Sequence, residues 1–372
     1  MPPTIACPGC HSPKIRKKGL KKNKSGNLQK YQCRQCARFF TLKKSPHAYP
    51  MWSVLKALSL YSQGYSLSQV SQVLAKIQKK PVPPSTVSAW LKKYDALLTY
   101  RKLRKEALHL YKPKDVLFTR PLQHRQVYHF KYHKAKLRLL PRLNPLIPGR
   151  VFTQLTNYLQ KIPTPAFPHH IFGGLRGEEK RSSQLRFKTL EFLRRETTNQ
   201  ANRLAELALQ SVTSNYQRHY ALQEFMLLND TSTVAVEIPV YLTKHDVGYF
   251  LERNFRLPLE GQATPITGHI DILQVRNNLL HVLDYKPEAA KVNPVPQLTL
   301  YALALASRLQ IPVRQLKVAW FDDKDYFEFF PLHAVYGRRG GGAEKLQWRR
   351  GDSNGIQGVS VTKKNNDDYL NK

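Results

Sequence analysis

Asp271, Asp284 and Lys286 stand inside two otherwise apolar runs, ITGHIDILQV and LLHVLDYKP, separated by Asn277–Asn278. Two carboxylates brought close repel one another and favour a divalent cation between them. Oxygen ligands with open positions suit Mg²⁺ or Mn²⁺. A cation held there can bind a phosphate oxygen and lower the pKa of a bound water. A neighbouring lysine can orient or help deprotonate that water, or stabilise charge on a pentavalent phosphorus. The three residues therefore suit phosphodiester hydrolysis, provided that the backbone brings them together.

Register decides whether they meet. Both runs read as strands, and Asn277–Asn278 reads as the turn between them. Ile270 and Ile272 are expected to share one face of the first strand, with Asp271 on the other. Asp284 and Lys286 share a face of the second, two residues apart. An antiparallel hairpin closed at Asn277–Asn278 sets Asp271 nearly opposite Asp284. Periodicity alone leaves a second reading open, a surface hairpin with an ordinary Asp–Lys pair.

The arrangement resembles the PD-(D/E)XK nucleases, in particular their RecB-like branch, which shows G-x-x-D on one strand and D-Y-K on the next. This chain has GHID (Gly268–Asp271) and DYKP (Asp284–Pro287). That branch continues with a glutamine–tyrosine helix. PQLTLYALAL matches it, with Gln297 and Tyr301 one helical turn apart. An upstream E-x-P strand matches VEIPV at Glu237. The resemblance implies Asp271 and Asp284 as metal ligands, Lys286 as the catalytic lysine, and Gln297 and Tyr301 as support on the substrate side. It also implies a further Glu or His from the first helix. Glu206 in RLAELALQ is the choice, with Glu191, Glu196 and His219 as rivals. Asp284 stands where many relatives have Glu.

The fold expected around these residues is a C-terminal α/β, restriction-endonuclease-like domain over 185–334, a mixed sheet flanked by helices. The stretch SSQLRFKTLEFLRRETTNQANRLAELALQSV reads as strongly helical, PVRQLKVAWFDDKDYFEFFP as a further strand pair, and Asp322 and Asp323 as turn residues. Residues 335–372 are Gly-rich and polar and read as a disordered tail.

The front of the chain carries a different chemistry. All four cysteines lie in CPGC (Cys7, Cys10) and CRQC (Cys33, Cys36). Two such knuckles close a four-thiolate zinc site with no open position, so the metal is expected to be structural and to supply folding energy. Residues 1–45 then form a zinc ribbon. Between the knuckles, Lys14, Arg16, Lys17, Lys18, Lys21 and Lys22 are either phosphate contacts or a solvated face. CPGC, KIRKKG and YQCRQCARFFT with its Phe39–Phe40 pair resemble the zinc ribbon of insertion-sequence transposases, which implies DNA binding in a mobile-element lineage.

Residues 48–98 follow as three short helices. Gly64 suits a helix stop, Ser66 caps the second helix, and Pro83–Pro84 precede a third capped by Ser85. Three helices around a Gly turn describe an all-α helix-turn-helix. Its third helix offers Ser85, Thr86, Ser88, Lys92 and Lys93 to a major groove; a plain helical bundle is the alternative. Residues 99–184 read as a basic linker or helical region, in which RKLRKEALHLYKPKD and HRQVYHFKYHKAKLRLLPRL suit either base stacking or a packed amphipathic helix. His129 and His133, one helical turn apart, are metal ligands or ordinary surface histidines.

Bulk properties agree with a multidomain nucleic-acid protein. Of 372 residues, 60 are Lys or Arg against 25 acids, a formal charge of +35, which calls for a polyanion. No run approaches the ~20 apolar residues of a membrane span, and no signal-peptide core opens the chain, so a cytoplasmic, nucleoid-associated protein is expected. The function expected is a metal-dependent DNA nuclease acting on double-stranded DNA, with a dimer or two visits by one site if it cuts both strands. The rivals are a DNA-binding regulator whose nuclease-like domain no longer cuts, and a nuclease acting on RNA.

Overall fold

In the computed structural model the described residues are 5–336, apart from 9, 11, 24–25, 42–48, 79–80, 125, 164–166, 168–178, 191–194, 197–198 and 213–214. Of the expected tail, Val335 ends the last helix and Tyr336 bridges to Phe255, so its start is corrected by two residues; 337–372 and Glu191 lie outside the described residues.

Near the N-terminus, β1 (Ile15–Asn23), β2 (Gly26–Cys33) and β3 (Phe39–Thr41) form a three-stranded antiparallel sheet. Arg16, Lys17, Lys18 and Lys21 are exposed along β1, and Lys14 is exposed just before it. Lys22 belongs to the same strand.

Three helices come next, α1 (Met51–Gln63), α2 (Leu67–Ile77) and α3 (Pro84–Lys93). Gly64 stops α1 at φ 125, a conformation that a side chain resists, and Ser66 forms a capping box with Gln69 at the start of α2. The expected Ser85 cap is not formed. Helix α3 begins at Pro84 after Pro83, because proline presets the first helical φ and has no N–H to satisfy. On α3, Ser85, Lys92 and Lys93 are exposed and Thr86 and Ser88 half-buried.

The remaining elements are α4 (Arg101–Leu110), β4 (Leu117–His124), β5 (Gln126–His133), α5 (Lys134–Leu139), α6 (Gly149–Lys161), β6 (Lys180–Arg181), β7 (Arg195–Glu196), α7 (Gln200–Leu209), α8 (Asn215–Asn229), β8 (Thr233–Leu242), α9 (Lys244–Glu252), β9 (Ile266–Arg276), β10 (Leu279–Tyr285), α10 (Val295–Leu309), β11 (Leu316–Phe321), β12 (Tyr326–Phe329) and α11 (Pro331–Val335). Nine of these strands make one mixed sheet in the order β4-β5-β8-β9-β10-β11-β12-β7, with β6 joined to β9. Strands β10 and β11 run parallel, and α10 is the crossover that a parallel pair requires. The other neighbours along the main path are antiparallel.

Two apolar cores cover the two faces. One packs α6, α9 and α10 against the sheet; the other packs α1 to α3, α7 and α8 against its opposite face. Three expectations are corrected by this arrangement. The linker 99–184 supplies β4 and β5, one edge of the sheet, because its aromatic run VYHFKYH alternates as a strand. Helix α4 packs Leu103 and Ala107 against α5. The three-helix segment shares a core with the sheet and does not stand apart. Buried Asn229 on α8 clasps α1, accepting from Ser62 Oγ (2.8 Å) and donating to Ser59 Oγ (3.0 Å). Arg104 on α4 donates to the carbonyls of Tyr61, Gly64 and Tyr65, satisfying the end of α1. The long helix expected over 182–212 reduces to α7, with β7 before it.

Candidate active site

The hairpin forms in the expected register. Asn277 and Asn278 both have positive φ, as the tightest hairpin turn demands. The pairs Arg276↔Leu279 through Ile272↔Leu283 bring Asp284 level with Asp271. On the other side, Val236↔Ile272 and Ile238↔Ile270 bring Glu237 level with Asp271 too. Glu237, Asp271 and Asp284 therefore occupy one row across β8, β9 and β10.

The strands are irregular at that row. Glu237 sits at φ 53 inside β8, a left-handed conformation that costs energy for a residue with a Cβ. Val236 packs into the α8-side core and Ile238 into the α10-side core, although residues two apart normally share a face. Ile270 and Ile272 are split in the same way, so the expectation that they share a face fails.

Among the described residues, strand β9 is also left open here on the edge facing β10 and β6. β10 pairs with residues 272–276 and β6 with Ile266 and Thr267, so neither reaches Gly268–Asp271. Helix α10 fills the opening. A Cβ on Gly268 would lie 2.2 Å from Tyr301 Cε1 and 2.6 Å from Ser182 Oγ, so only glycine admits the tyrosine ring. Gln297, one turn earlier, donates to the Tyr301 hydroxyl at 2.8 Å. Burial pushes that hydroxyl's pKa well above the usual value.

Asp271, Glu237, Gln297 and Tyr301 line a cleft of about 300 Å³ together with His219, Gln223, Tyr128 and Arg181. Asp284, only 2% exposed, lies outside that lining and pairs with Lys286 Nζ at 2.8 Å. Burial and the neighbouring Asp271 hold the Asp284 carboxyl well above the usual carboxylate range. Asp271 is held below that range: burial opposes this, but the hydrogen bond and charge of His219, with Asp284 and Lys286, outweigh it. Burial, then Asp271, pushes Glu237 up to about 8. Three carboxyls thus share less negative charge than they would carry in water. Burial would lower Lys286, but Asp284 and Asp271 raise it above the usual lysine value, so it stays an ammonium.

Helix α8 aims its side chains at the row. His219 Nδ1 lies 3.1 Å from Asp271 Oδ2, and Gln223 Nε2, one turn on, donates to Glu237 Oε1 at 2.7 Å. Burial lowers His219, but Asp271 and Asp284 outweigh it and raise it. Glu206 is exposed on α7, and Glu196 belongs to edge strand β7; among the rivals with described side chains it is His219 that reaches Asp271. Polar residues four apart on one helix, as in RHYALQE, were the available signal. His129 and His133 are not a pair. They lie on a strand, about 13 Å apart along it, with His129 exposed and His133 buried edge-on against Tyr100.

The row fits a divalent cation on two grounds. Its ligands are hard oxygens, and a dication would let both aspartates ionise where burial and their mutual repulsion now hold Asp284 well above the usual carboxylate range. At the other end of the chain, the thiols of Cys7, Cys10, Cys33 and Cys36 all lie within 4.8 Å of one another, with Cys7 to Cys36 at 3.6 Å and Cys10 to Cys33 at 3.5 Å. Four thiolates around one tetrahedral zinc stand about 3.8 Å apart, so this cluster can hold a metal ion. Among the described residues no helix is long and apolar enough to cross a membrane.

A family model described as the PD-(D/E)XK nuclease superfamily matches residues 121–332, more than half of the chain and a stretch that begins within β4. The chain belongs to that superfamily, whose members are in general metal-dependent phosphodiesterase nucleases acting on nucleic acid. No curated protein and no solved structure matches.

Proposed function

We propose that this protein hydrolyses phosphodiester bonds of DNA at the row formed by Glu237, Asp271 and Asp284. The observation behind this reading is the alignment of Asp271 with Asp284 beside a charged Lys286. A bound Mg²⁺ or Mn²⁺ would supply Lewis acidity toward a phosphate oxygen and a more acidic water. Asp271 and Asp284 would hold it, with Glu237 and His219 beside them. To serve as a ligand, His219 must give up the proton it shares with Asp271. The Lys286 ammonium, held beside Asp284, would stabilise the negative charge that builds up on phosphorus, a role suited to a lysine kept protonated. The Tyr301 hydroxyl stays protonated and is oriented by Gln297, which leaves it a donor toward substrate. Glu206, exposed on α7, has no part in this scheme.

The front of the chain delivers DNA in this account. Zinc on the four cysteines orders the small sheet, whose strand β1 presents Arg16, Lys17, Lys18 and Lys21 to phosphates. Helix α3 offers Ser85, Lys92 and Lys93 on its exposed side, with Thr86 and Ser88 at the margin. The RecB-like order of motifs supports the nuclease; the link to a mobile element is supported by the resemblance of the ribbon alone.

The test is cleavage of supercoiled and of linear end-labelled DNA with Mg²⁺, Mn²⁺ or EDTA, at one salt concentration. Metal-dependent nicking of the circle identifies an endonuclease, and loss of linear DNA alone an exonuclease. An unaffected substrate with intact zinc-dependent binding contradicts the proposal and leaves a DNA-binding regulator. RNA cut faster than DNA would transfer the same chemistry to an RNA substrate.

A further inference from the structure

A chain of contacts leads away from Asp271 along the open edge of β9. β6 sets Arg181 beside Thr267, four residues before Asp271 and about 13 Å back along the strand. Arg181 Nη2 donates to the Tyr128 hydroxyl at 2.8 Å. The Tyr128 ring lies flat on the His269 ring, with centroids 3.9 Å apart and planes 9° apart. Buried His269 meets His124, Nε2 to Nδ1 at 2.9 Å, and His124 Nε2 lies 3.5 Å from Glu179 Oε1. Phe167 stands edge-on to both histidines at 5.6 Å. None of this is needed to hold a cation at the acidic row.

The contacts fix a guanidinium at the margin of the cleft that Asp271 lines. Among the described residues no carboxylate forms an ion pair with Arg181. Its contact to Tyr128 uses one of five donors, and the planar fork left over matches two oxygens of a phosphate. The His269–Tyr128 stack pins the group that aims it, so little side-chain freedom is left to lose on binding.

We propose that Arg181 grips a backbone phosphate of the substrate strand adjacent to the bond being cut, on the side of Asp271 toward the start of β9, with Tyr128 and His269 as its positioning residues. This rests on the nuclease reading. It makes the substrate a polynucleotide strand continuing past the cut, not a nucleotide with a single phosphodiester.

The experiment is single-turnover cleavage, by the full chain with Mg²⁺ at fixed salt, of oligonucleotides carrying one uncharged methylphosphonate at successive positions. Wild type is compared with Arg181→Ala, Arg181→Lys and Tyr128→Phe. At one position beside the cut, the methylphosphonate is expected to weaken wild-type binding roughly 10- to 100-fold and to leave the rate at saturation nearly unchanged. Arg181→Ala should show the same loss on the natural strand and no further loss at that position. Arg181→Lys should restore part of it, and Tyr128→Phe should give a smaller defect at the same position. Cleavage by wild type with an Arg181→Ala defect that is equal at every position, or confined to the saturated rate, overturns the proposal and leaves the nuclease reading intact. Failure of wild type to cut any strand overturns both.

Discussion

Gly268 and Tyr301 occupy adjoining space so closely that a single added carbon on Gly268 would overlap the tyrosine ring at 2.2 Å. Gly268→Ala must push Tyr301 out of the cleft and away from Gln297. A stability loss of about 1–3 kcal/mol is expected from the overpacking, with cleavage reduced further. The double variant Gly268→Ala/Tyr301→Ala should be more stable than the sum of the two single changes predicts, since the second removes the clash. Chemical denaturation of the four proteins checks this.

His219 takes the place expected of Glu206. His219→Ala should cost roughly 10- to 100-fold in cleavage and raise the Mg²⁺ concentration needed for half activity. Glu206→Ala, a change on the exposed side of α7, should leave both unaltered. Metal titrations of the two variants side by side distinguish them.

Lys136 gives the fold a pH signature. It is wholly buried, and its ammonium donates to the carbonyls of Leu227 and Thr233 at 2.7 and 2.9 Å, with Asp230 at 3.6 Å. Burial lowers its pKa to about 8, in spite of Asp230. The unfolded chain keeps that proton to about 10.4. Between these values the unfolded state binds more protons, so this group makes stability rise with pH, by roughly 3 kcal/mol across the interval. Lys136→Met should be less stable at pH 7, because two carbonyls and a carboxylate lose their partner, and should lack the rise. Denaturant midpoints of both proteins from pH 7 to 10 measure the difference.

The cysteine cluster predicts one zinc per chain. Cys33→Ser should lose it and weaken DNA binding, because the small sheet has few apolar residues to hold it together. The large sheet should keep its unfolding transition. Metal analysis together with calorimetry reads both.

Local patterning made the site's centre legible. The hairpin register, its turn, and the helical spacing of Gln297 and Tyr301 each follow from residues close in sequence. What depended on distant pairing was not. The alternation of VYHFKYH marks a strand, but nothing local says that this strand joins the large sheet, or that β10 stops short of Asp271 and leaves room for Tyr301. His219 reaches Asp271 through the placement of a helix 52 residues upstream. The split of Val236 from Ile238 accompanies the positive φ at Glu237, a conformation that no residue preference announces. The apolar faces of α1 to α3 were visible, but not that α1 would pack against α8.

The most direct measurement is the cleavage rate of a labelled DNA strand with Mg²⁺, for wild type beside Asp271→Asn and Lys286→Ala. Both changes remove charge from the row and keep much of the side-chain volume or the surrounding fold. The account predicts metal-dependent cleavage by wild type and a loss of about 10³-fold or more in each variant, with circular dichroism unchanged. Cleavage that persists in both variants, or that continues in EDTA, would contradict it.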